Sequence, residues 1–434
     1  MSIRGHFSQG FTLSLIQFSN LVLPFISLPY IARVLSTSDY GLINFSQAYA
    51  VYFMLLINYA FDLSAVRHVA VNSENPKKLS SIVSTIFTTK SLLFILSTAL
   101  FLGITFSVPI LRADYPYHVM AYAVNLGYII YPNWLFQGLS RVTVMSITVL
   151  SIRIISLALI FIFINSPDDT LLLLSIYSFT NIAIAILLTI YAFVKFKITY
   201  LFPTFNDIQE SLKDGFALFL STITINLYTT SNTFLLGVLA STYYVGLFTS
   251  ALKIIQAVQM LIMTPINQVL FPLMSKAFHE SQEGGMLLLN KAMVVIVPIL
   301  LTAAVGMLLF GDLAISIVFG PQFLPALPAL QIMAFAPLII GISNLLGIHG
   351  MLNLKMDKVF FYITLVGAVF CVSFNILFIP YLNEVGTALA WFLTEVVITT
   401  SMILIFYKKR IPIFKFGEMK IFAAELLRKV HIYV

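Results

Sequence analysis

Long apolar stretches alternate with short polar ones along almost the whole of this chain. Twelve of them reach the length of about 20 residues that a helix needs to cross a bilayer. They lie at 11–33, 42–66, 80–105, 117–139, 142–164, 170–194, 214–238, 246–273, 291–310, 328–350, 359–380 and 385–407. None alternates strictly, and only helices and closed barrels satisfy their backbone groups in lipid. The pattern therefore predicts an all-α polytopic membrane protein with about 12 transmembrane helices.

The first apolar stretch has a second copy 205 positions further along, without a gap. Gly10-Phe11 recurs as Gly215-Phe216, and two further pairs recur at the same offset: Ser36-Thr37 as Ser241-Thr242, and Gly41-Leu42 as Gly246-Leu247. Leucine and isoleucine match by chance in so apolar a chain, whereas the glycines and the Ser-Thr pair carry information. The offset predicts an internal duplication, which is typical of transporters.

The duplication predicts four parts. Residues 1–194 form an N-terminal six-helix bundle, and residues 214–407 form a C-terminal six-helix bundle that begins on the same side of the membrane. Residues 195–213 are a cytoplasmic linker, where the acidic stretch 206–210 indicates the start of a helix. Residues 408–434 are a basic amphipathic cytoplasmic tail suited to an anionic lipid surface.

Composition and charge fix the class and the orientation. Of 434 residues, 60% are hydrophobic and 9% charged, against roughly 25% charged in an ordinary soluble domain. With the N-terminus in the cytoplasm, 19 of the 24 Lys and Arg residues fall in cytoplasmic segments, and the outer loops hold only Arg112. Cytoplasmic loops carry such an excess. The net charge of +7 therefore indicates membrane orientation and not nucleic acid binding. We expect a multi-pass protein of the bacterial inner membrane with both termini in the cytoplasm.

Several charged residues lie inside predicted spans, where charge is expensive and by default faces a bundle interior or an aqueous cavity. The set comprises the cations Arg33, Lys90, Arg153 and Lys253 and the acids Asp62 and Glu395. These residues either form structural ion pairs or bind a ligand. The structural pairs would be Asp62 with Arg67, and Glu395 with Lys90 or Arg153. Three cations, at 90, 153 and 253, face one central anion at 395, so an anionic guest would offset the remainder. Arg33 is equally compatible with an anchor at the membrane surface.

The seventh predicted span contains an unusually polar run at 226–233. Its polar side chains cover every face of a helix, so packing alone is a poor account of them. We predict that Asn226 and Asn232 line a cavity, and the alternative is hydrogen bonding between helices.

Several motifs are absent from the sequence. There is no GxxxxGK[ST] phosphate loop, no HExxH and no GxSxG, so the chain offers none of these routes to nucleotide hydrolysis, zinc chemistry or acyl transfer. The single cysteine, Cys371, excludes an intrachain disulfide. We expect no catalytic residue, no cofactor and no metal.

Four segments together resemble a known family. LPYIARVLSTSDYGLINFSQAY at 28–49 and DLSAVRHVA at 62–70 look like the start of the polysaccharide flippases of the MOP superfamily, in the O-antigen branch. TTSNTFLLGVLASTYYVGLFTSALKI at 229–254 resembles their seventh helix and the loop after it, and FGPQFLPALPALQIMAF at 319–335 resembles the beginning of their tenth helix.

This resemblance implies a MOP/MATE-like fold, with two six-helix bundles around a central cavity. It also implies the function: a flippase that moves an undecaprenyl-diphosphate-linked oligosaccharide, such as an O-antigen repeat unit, across the inner membrane by alternating access. On this interpretation the substrate-binding residues are Arg33, Lys90, Arg153, Lys253, Asn226 and Asn232, and Glu395 or Asp62 couples transport to an ion. The expected partners are the lipid-linked substrate and membrane lipid, with a polysaccharide polymerase and a chain-length regulator as candidates.

Two alternatives stay open. One is a cation-coupled multidrug or small-molecule exporter of the MATE type, which would want anionic binding residues, whereas the central excess here is cationic. The other is an integral-membrane glycosyltransferase or polymerase, which would need a catalytic loop that the sequence does not offer.

Overall fold

A computed structural model of the chain describes residues 25–413, and every regular element within that range is helical. Most of the predicted amphipathic tail at 408–434 and most of the first predicted span lie outside the described residues. The helices up to the linker are α1 Phe25–Val34, α2 Thr37–Asn58, α3 Phe61–Val71, α4 Pro76–Ser107, α5 Pro109–Ala113, α6 Tyr115–Tyr122, α7 Val124–Ile130, α8 Asn133–Gly138, α9 Val142–Phe163 and α10 Thr170–Lys195. A 3₁₀ turn at Pro167–Asp169 precedes α10.

The helices after the linker are longer. They are α11 Phe205–Leu239, α12 Thr242–Glu280, α13 Gln282–Val318, α14 Leu327–Met333, α15 Ala336–Asn344 and α16 Asp357–Lys408. A 3₁₀ turn at Pro321–Ala326 precedes α14, and a π-helical turn at Leu345–Met351 follows α15.

Each predicted span from residue 42 onward coincides with helical structure. Between Phe25 and Ile413, seven helices are long and apolar enough to cross a membrane, or eight if the bent pair Pro321–Met333 and Ala336–Met351 counts as one span. The 52 residues of α16 cover two predicted spans, 359–380 and 385–407, with a break at Asn383, where φ is 48°. The predicted span 214–238 lies in α11, which is too polar to count among the seven.

Local chemistry explains where several helices begin and end. The side chain of Ser36 caps α2 by accepting a hydrogen bond from the backbone of Asp39 at 3.1 Å, which satisfies one of the free N–H groups of the first turn. At the other end, Tyr59 and Ala60 have φ angles of 45° and 58°. Because this left-handed backbone interrupts a regular helix, α2 ends there and α3 begins at Phe61, and together they form one candidate span of 35 residues, Thr37–Val71.

The described residues pack as two compact units. Unit 1 holds the chain up to Asn226 together with Ser241–Gly246, and unit 2 holds Leu227–Ala240 together with the chain from Leu247. Unit 1 has an apolar core around Phe61, Trp134 and Leu188. Unit 2 has a separate core rich in methionine and leucine, including Met293 and Leu345. The division into two six-helix bundles with a linker at 195–213 stays a prediction.

The segment before α11 is held against α4. The backbone N–H of Thr199 donates to Ser80 Oγ at 3.1 Å, and that of Leu201 donates to Ser84 Oγ at 2.9 Å. Thr204 and Asp207 then cap α11 reciprocally, which agrees with the predicted helix start. Hydrogen bonds from the Thr204 hydroxyl and backbone N–H lower the pKa of the Asp207 carboxyl.

Within unit 1, α2 crosses the segment 241–246 at two glycines, and the contact is reciprocal. A Cβ on Gly41 would collide with the backbone oxygen of Thr242, and a Cβ on Gly246 would collide with the backbone oxygen of Thr37. These are the residues that the offset of 205 makes equivalent. Glycine is therefore required at both positions by the close approach of two backbones.

Candidate functional site

Lys90 lies in the middle of α4 and is 1% exposed. Its ammonium donates to the backbone oxygen of Tyr128, near the end of α7, at 3.4 Å. In a continuing helix that oxygen would accept from the residue four positions later. That residue is Pro132, which has no N–H. Lys90 therefore supplies a hydrogen-bond donor in place of the N–H that Pro132 lacks. The oxygen lies at the C-terminal end of α7, where the helix dipole favours a cation.

Asp62 is the acid that acts electrostatically on this lysine. It lies in the first turn of α3, where the helix dipole favours an anion, and it is within electrostatic reach of Lys90. The amide of Asn58 donates to Asp62 Oδ2 at 2.7 Å, while Oδ1 is buried and has no hydrogen-bond partner. The predicted structural alternative paired Asp62 with Arg67, but Arg67 is exposed and Asn58 takes that place.

Arg153 lies in the middle of α9 and is partly buried. It lines a cavity of about 110 Å³ together with Tyr128, Tyr131 and Asn181. A second cavity, of about 280 Å³, shares Tyr128 and Asn181 and extends toward α2. Asp62 and Arg153 both act electrostatically on Tyr128 and Tyr131. The structure thus brings Lys90, Arg153 and Asp62 around one tyrosine pair inside unit 1.

The other two predicted substrate-binding cations, Arg33 and Lys253, lie outside this cluster. Arg33 lies in the last turn of α1 with an exposed side chain, as the anchor alternative requires. Lys253 is partly buried in α12 and belongs to unit 2. Their roles in substrate binding stay predictions.

The two asparagines of α11 differ. Asn226 is partly buried, and its amide donates to Thr222 of the same helix at 2.8 Å. Asn232 is 1% exposed, and its side-chain oxygen accepts from the amide of Asn375 at 2.8 Å and from the thiol of Cys371 at 3.3 Å. These bonds join α11 to α16. They agree with the alternative prediction, in which the polar side chains of this helix form hydrogen bonds between helices. A cavity-lining role for either residue stays a prediction.

Glu395 lies beside this polar network in unit 2. It is 6% exposed in the middle of the second half of α16, and it acts electrostatically on Tyr228 and Cys371. A buried carboxyl among amide, hydroxyl and thiol groups is suited to gaining and losing a proton. Its predicted role in ion coupling stays a prediction.

A further cavity, of about 500 Å³, lies where α3, α4 and the start of α11 meet. His68 and Asp214 face each other there at 3.3 Å, and both side chains are about half exposed. Glu210 and Lys78 also line it. Sequence reasoning did not single out this region, because its charges read as ordinary loop charges.

Sequence reasoning also missed a buried polar contact in unit 1. His118 of α6 is fully buried, and its Nδ1 lies 2.9 Å from Ser46 Oγ of α2. The two residues are 72 positions apart, so no local pattern in the sequence indicates the contact.

Comparison with solved structures defines the class. The fold matches the inward closed conformation of the lipid II flippase MurJ with a TM-score of 0.70 and 14% identity, covering 96% of this chain and 91% of that one. It matches an inward-facing multidrug resistance MATE family transporter of the MOP superfamily with a TM-score of 0.64 and 14% identity, covering 90% and 98%. The predicted fold class is confirmed: this is a helical membrane protein with the fold of the MOP superfamily, and its neighbours are transporters and not enzymes.

The sequence defines the family. Residues 8–278 match the polysaccharide biosynthesis protein family, and the chain belongs to it. A protein of Escherichia coli (strain K12) named "Putative O-antigen transporter" is 27% identical over 396 residues, covering 90% of this chain and 94% of that protein. A protein of the same name from Shigella dysenteriae is 27% identical over 391 residues, covering 90% and 97%. The predicted resemblance to the polysaccharide flippases of the MOP superfamily is confirmed.

Proposed function

We propose that this protein is a flippase that moves an undecaprenyl-diphosphate-linked oligosaccharide across the bacterial inner membrane by alternating access. Family membership supports a role in polysaccharide biosynthesis, and the fold shared with a lipid II flippase supports movement of a lipid-linked head group. The lipid tail stays in the bilayer while the charged and sugar-bearing head passes through the protein.

The observation that carries the proposal is the cationic cluster of Lys90 and Arg153 around Tyr128. A diphosphate that leaves water loses its hydration, and cations at close range in a weakly polar medium replace it far better than they would in water. Lys90 and Arg153 are therefore the proposed contacts of the diphosphate, and Asp62 is the acid that acts on Lys90. Lys253, Arg33, Asn226 and Asn232 are proposed as further contacts of the head group along its path.

Asp62 and Glu395 are the proposed coupling residues. An ionised Asp62 competes with the diphosphate for Lys90, so proton uptake at Asp62 would strengthen the hold on the substrate. Glu395 would play the corresponding part in unit 2, where it is buried beside Tyr228. We also propose that both termini lie in the cytoplasm and that a polysaccharide polymerase and a chain-length regulator act downstream.

A MATE-type exporter is the second candidate, and the buried Glu395 is the observation that favours it, because a carboxylate in a span suits a cationic drug. The cluster of unit 1 opposes it, since Lys90 and Arg153 would repel such a cargo.

The test uses cells whose own flippase gene is deleted and whose surface polysaccharide depends on the introduced protein. The wild-type chain should restore the polysaccharide ladder, and Arg153→Gln should not, at equal membrane abundance. Arg112→Gln is the matched control, because Arg112 is exposed in α5. If the wild-type chain does not restore the polysaccharide ladder but makes the cells resistant to cationic drugs, the MATE-type exporter is the better proposal.

A further inference from the structure

The cavity of about 280 Å³ in unit 1 adjoins the cavity that Arg153 lines. Val124, Tyr128 and Asn181 line both of them, so the two spaces share part of their walls. The larger space extends from these shared residues to α2, where Gln47 lines it. A chemical group that is bound beside Arg153 therefore has this larger space as its immediate neighbour.

Polar residues from three helices line the larger cavity. They include Gln47 of α2, Tyr128 of α7, and Tyr177 and Asn181 of α10. The amide of Asn181 donates to the backbone oxygen of Tyr177 at 2.8 Å, which holds this side chain in place. An amide carries both donors and an acceptor, and a phenol can act as either. Asn181 is exposed and the other three are partly buried, so the polar part of the wall is open to a guest.

Much of the remaining wall is apolar. Ala50, Val51 and Met54 of α2 and Leu174 of α10 belong to it. Of the described residues that line this cavity, none is charged, whereas Arg153 lines the adjoining one. A suitable guest is therefore neutral, with hydrogen-bonding groups on its edge and carbon atoms on its faces. A sugar ring has this chemistry.

Other guests suit these walls less well. Among the lining residues a phosphate would find no cation to replace its lost hydration, and a cationic drug would find no carboxylate. An acyl chain would leave the amides of Gln47 and Asn181 without hydrogen-bond partners, which is unfavourable. Water would satisfy both amides, and it is the alternative that an experiment has to exclude.

The volume of the cavity suits a single ring. Small-molecule pockets in proteins run from about 300 to 1,000 Å³, and about 280 Å³ lies at the lower end of that range. The space therefore accommodates one sugar and not a whole oligosaccharide, so any further sugars of a bound chain lie outside it.

We propose that this cavity is the subsite for the sugar that is joined directly to the diphosphate of the substrate, with Gln47 and Asn181 as the residues that recognise it. The inference rests on the proposed function. The diphosphate lies at Lys90 and Arg153, and Tyr128 marks the junction, because it lines both cavities and its backbone oxygen accepts from Lys90. The sugar hydroxyls form hydrogen bonds with the two amides.

Two adjoining subsites of different chemistry make the protein selective. The charged one binds any lipid diphosphate, including one that carries no sugar. The neutral one adds affinity only when a hydroxyl-bearing ring fills it, because a site built to hydrogen-bond a hydroxyl binds poorly an analogue that lacks it. The lipid with a sugar is therefore bound in preference to bare undecaprenyl diphosphate, and Gln47 and Asn181 determine this preference.

The first experiment measures the affinity of the purified full chain in detergent for two probes, undecaprenyl diphosphate and the same lipid carrying one hexose. The wild type should bind the hexose-bearing lipid more tightly. Gln47→Leu and Asn181→Leu should each weaken the binding of this lipid about five- to tenfold, as expected for lost hydrogen bonds, and reduce the preference over the bare lipid by the same factor. Gln137→Leu is the matched control, because Gln137 is exposed in α8 and lines neither cavity.

The second experiment tests the space instead of the hydrogen bonds. Val51→Phe puts a larger side chain into the cavity from α2 and should abolish the preference for the hexose-bearing lipid. Leu56→Phe makes a similar change at a partly buried position of the same helix that lines neither cavity, and it should keep the preference. Thermal unfolding of both variants checks that they fold. An undiminished preference in Val51→Phe would overturn the subsite.

The subsite and the proposed function can fail separately. If the wild type binds both lipids equally and restores the polysaccharide ladder in cells, the function stands, and the cavity holds only water. If it prefers the hexose-bearing lipid but restores no ladder, the subsite stands and the flippase function is wrong. If it binds neither lipid, both are wrong. Variants at Gln47 and Asn181 that weaken both lipids by the same factor would also overturn the subsite.

Discussion

The ammonium of Lys90 lies 3.4 Å from the backbone oxygen of Tyr128, the oxygen that Pro132 leaves without a helical donor. A mid-span lysine therefore has two partners, a helix end and the carboxylate of Asp62. Both would lose their partner if the lysine were removed, so Lys90 has a structural role beside its proposed role in transport.

The first prediction separates these two roles of Lys90. Lys90→Met should lower the free energy of unfolding by about 1–3 kcal/mol, because it leaves the Tyr128 carbonyl without its donor and the Asp62 carboxylate without the cation that acts on it. Adding Asp62→Asn to this variant should restore part of the lost stability, because it removes the carboxylate charge that Lys90 no longer compensates. Thermal unfolding of the purified proteins in detergent measures both. Transport should stay lost in the double variant, and its recovery would show that Lys90 does not hold the substrate.

The second prediction concerns the shape of the cation at position 153. Arginine holds a phosphate through a planar fork of donors, whereas lysine is a point charge on a flexible stem. Arg153→Lys should therefore retain partial transport and Arg153→Gln almost none, with both proteins normally inserted. The measurement is the polysaccharide ladder of cells that lack their own flippase gene, and a blot checks that the variants reach the membrane in equal amounts. Full activity of the Gln variant would mean that Arg153 contacts no anion.

The third prediction tests Glu395 as a proton carrier. Glu395→Gln keeps the shape and hydrogen-bonding capacity of the side chain but cannot ionise, so the protein should fold normally while transport loses its response to a pH gradient. Glu283→Gln, at an exposed acid in the first turn of α13, is the control. Loss of folded protein in the first variant would instead assign Glu395 a structural role.

The fourth prediction uses the reciprocal glycine contact. Gly41→Ala and Gly246→Ala each put a methyl group against a backbone oxygen that cannot move aside, and overpacking of this kind costs about 1–3 kcal/mol. Gly103→Ala is the control, because a Cβ there meets nothing within 4 Å and alanine favours the helix. Unfolding temperatures compare the three. A neutral result at Gly41 would contradict the close approach of the two backbones.

The fifth prediction concerns orientation. Reporter fusions should place residues 205 and 415 in the cytoplasm and residue 168 outside, as the distribution of Lys and Arg indicates. A further fusion at residue 77 is an internal check, because that residue lies in a segment that is also predicted to be cytoplasmic. A periplasmic signal at residue 415 would overturn the count of spans.

The sequence predicts the helices well where length and apolarity decide them, as in α4, α9 and α10. It also identifies Lys90, Arg153 and Asp62 as unusual, because charge in a span has few explanations. It does not show that these three share one place, since that depends on the left-handed break at Tyr59 and on Pro132 freeing a distant carbonyl. The partnership of His118 with Ser46 joins residues 72 positions apart, and no local pattern announces it.

The contact between Gly41 and Gly246 has an evolutionary consequence. Thr37 meets Gly246 just as Thr242 meets Gly41, and such an exchange of equivalent residues is the geometry of a two-fold interface between identical partners. A six-span chain with this Thr and Gly would carry both sides of the interface by itself. Under the predicted duplication, a half-length ancestor with this Thr and Gly would have been equipped to pair with its own copy, and gene fusion would have made that pairing permanent.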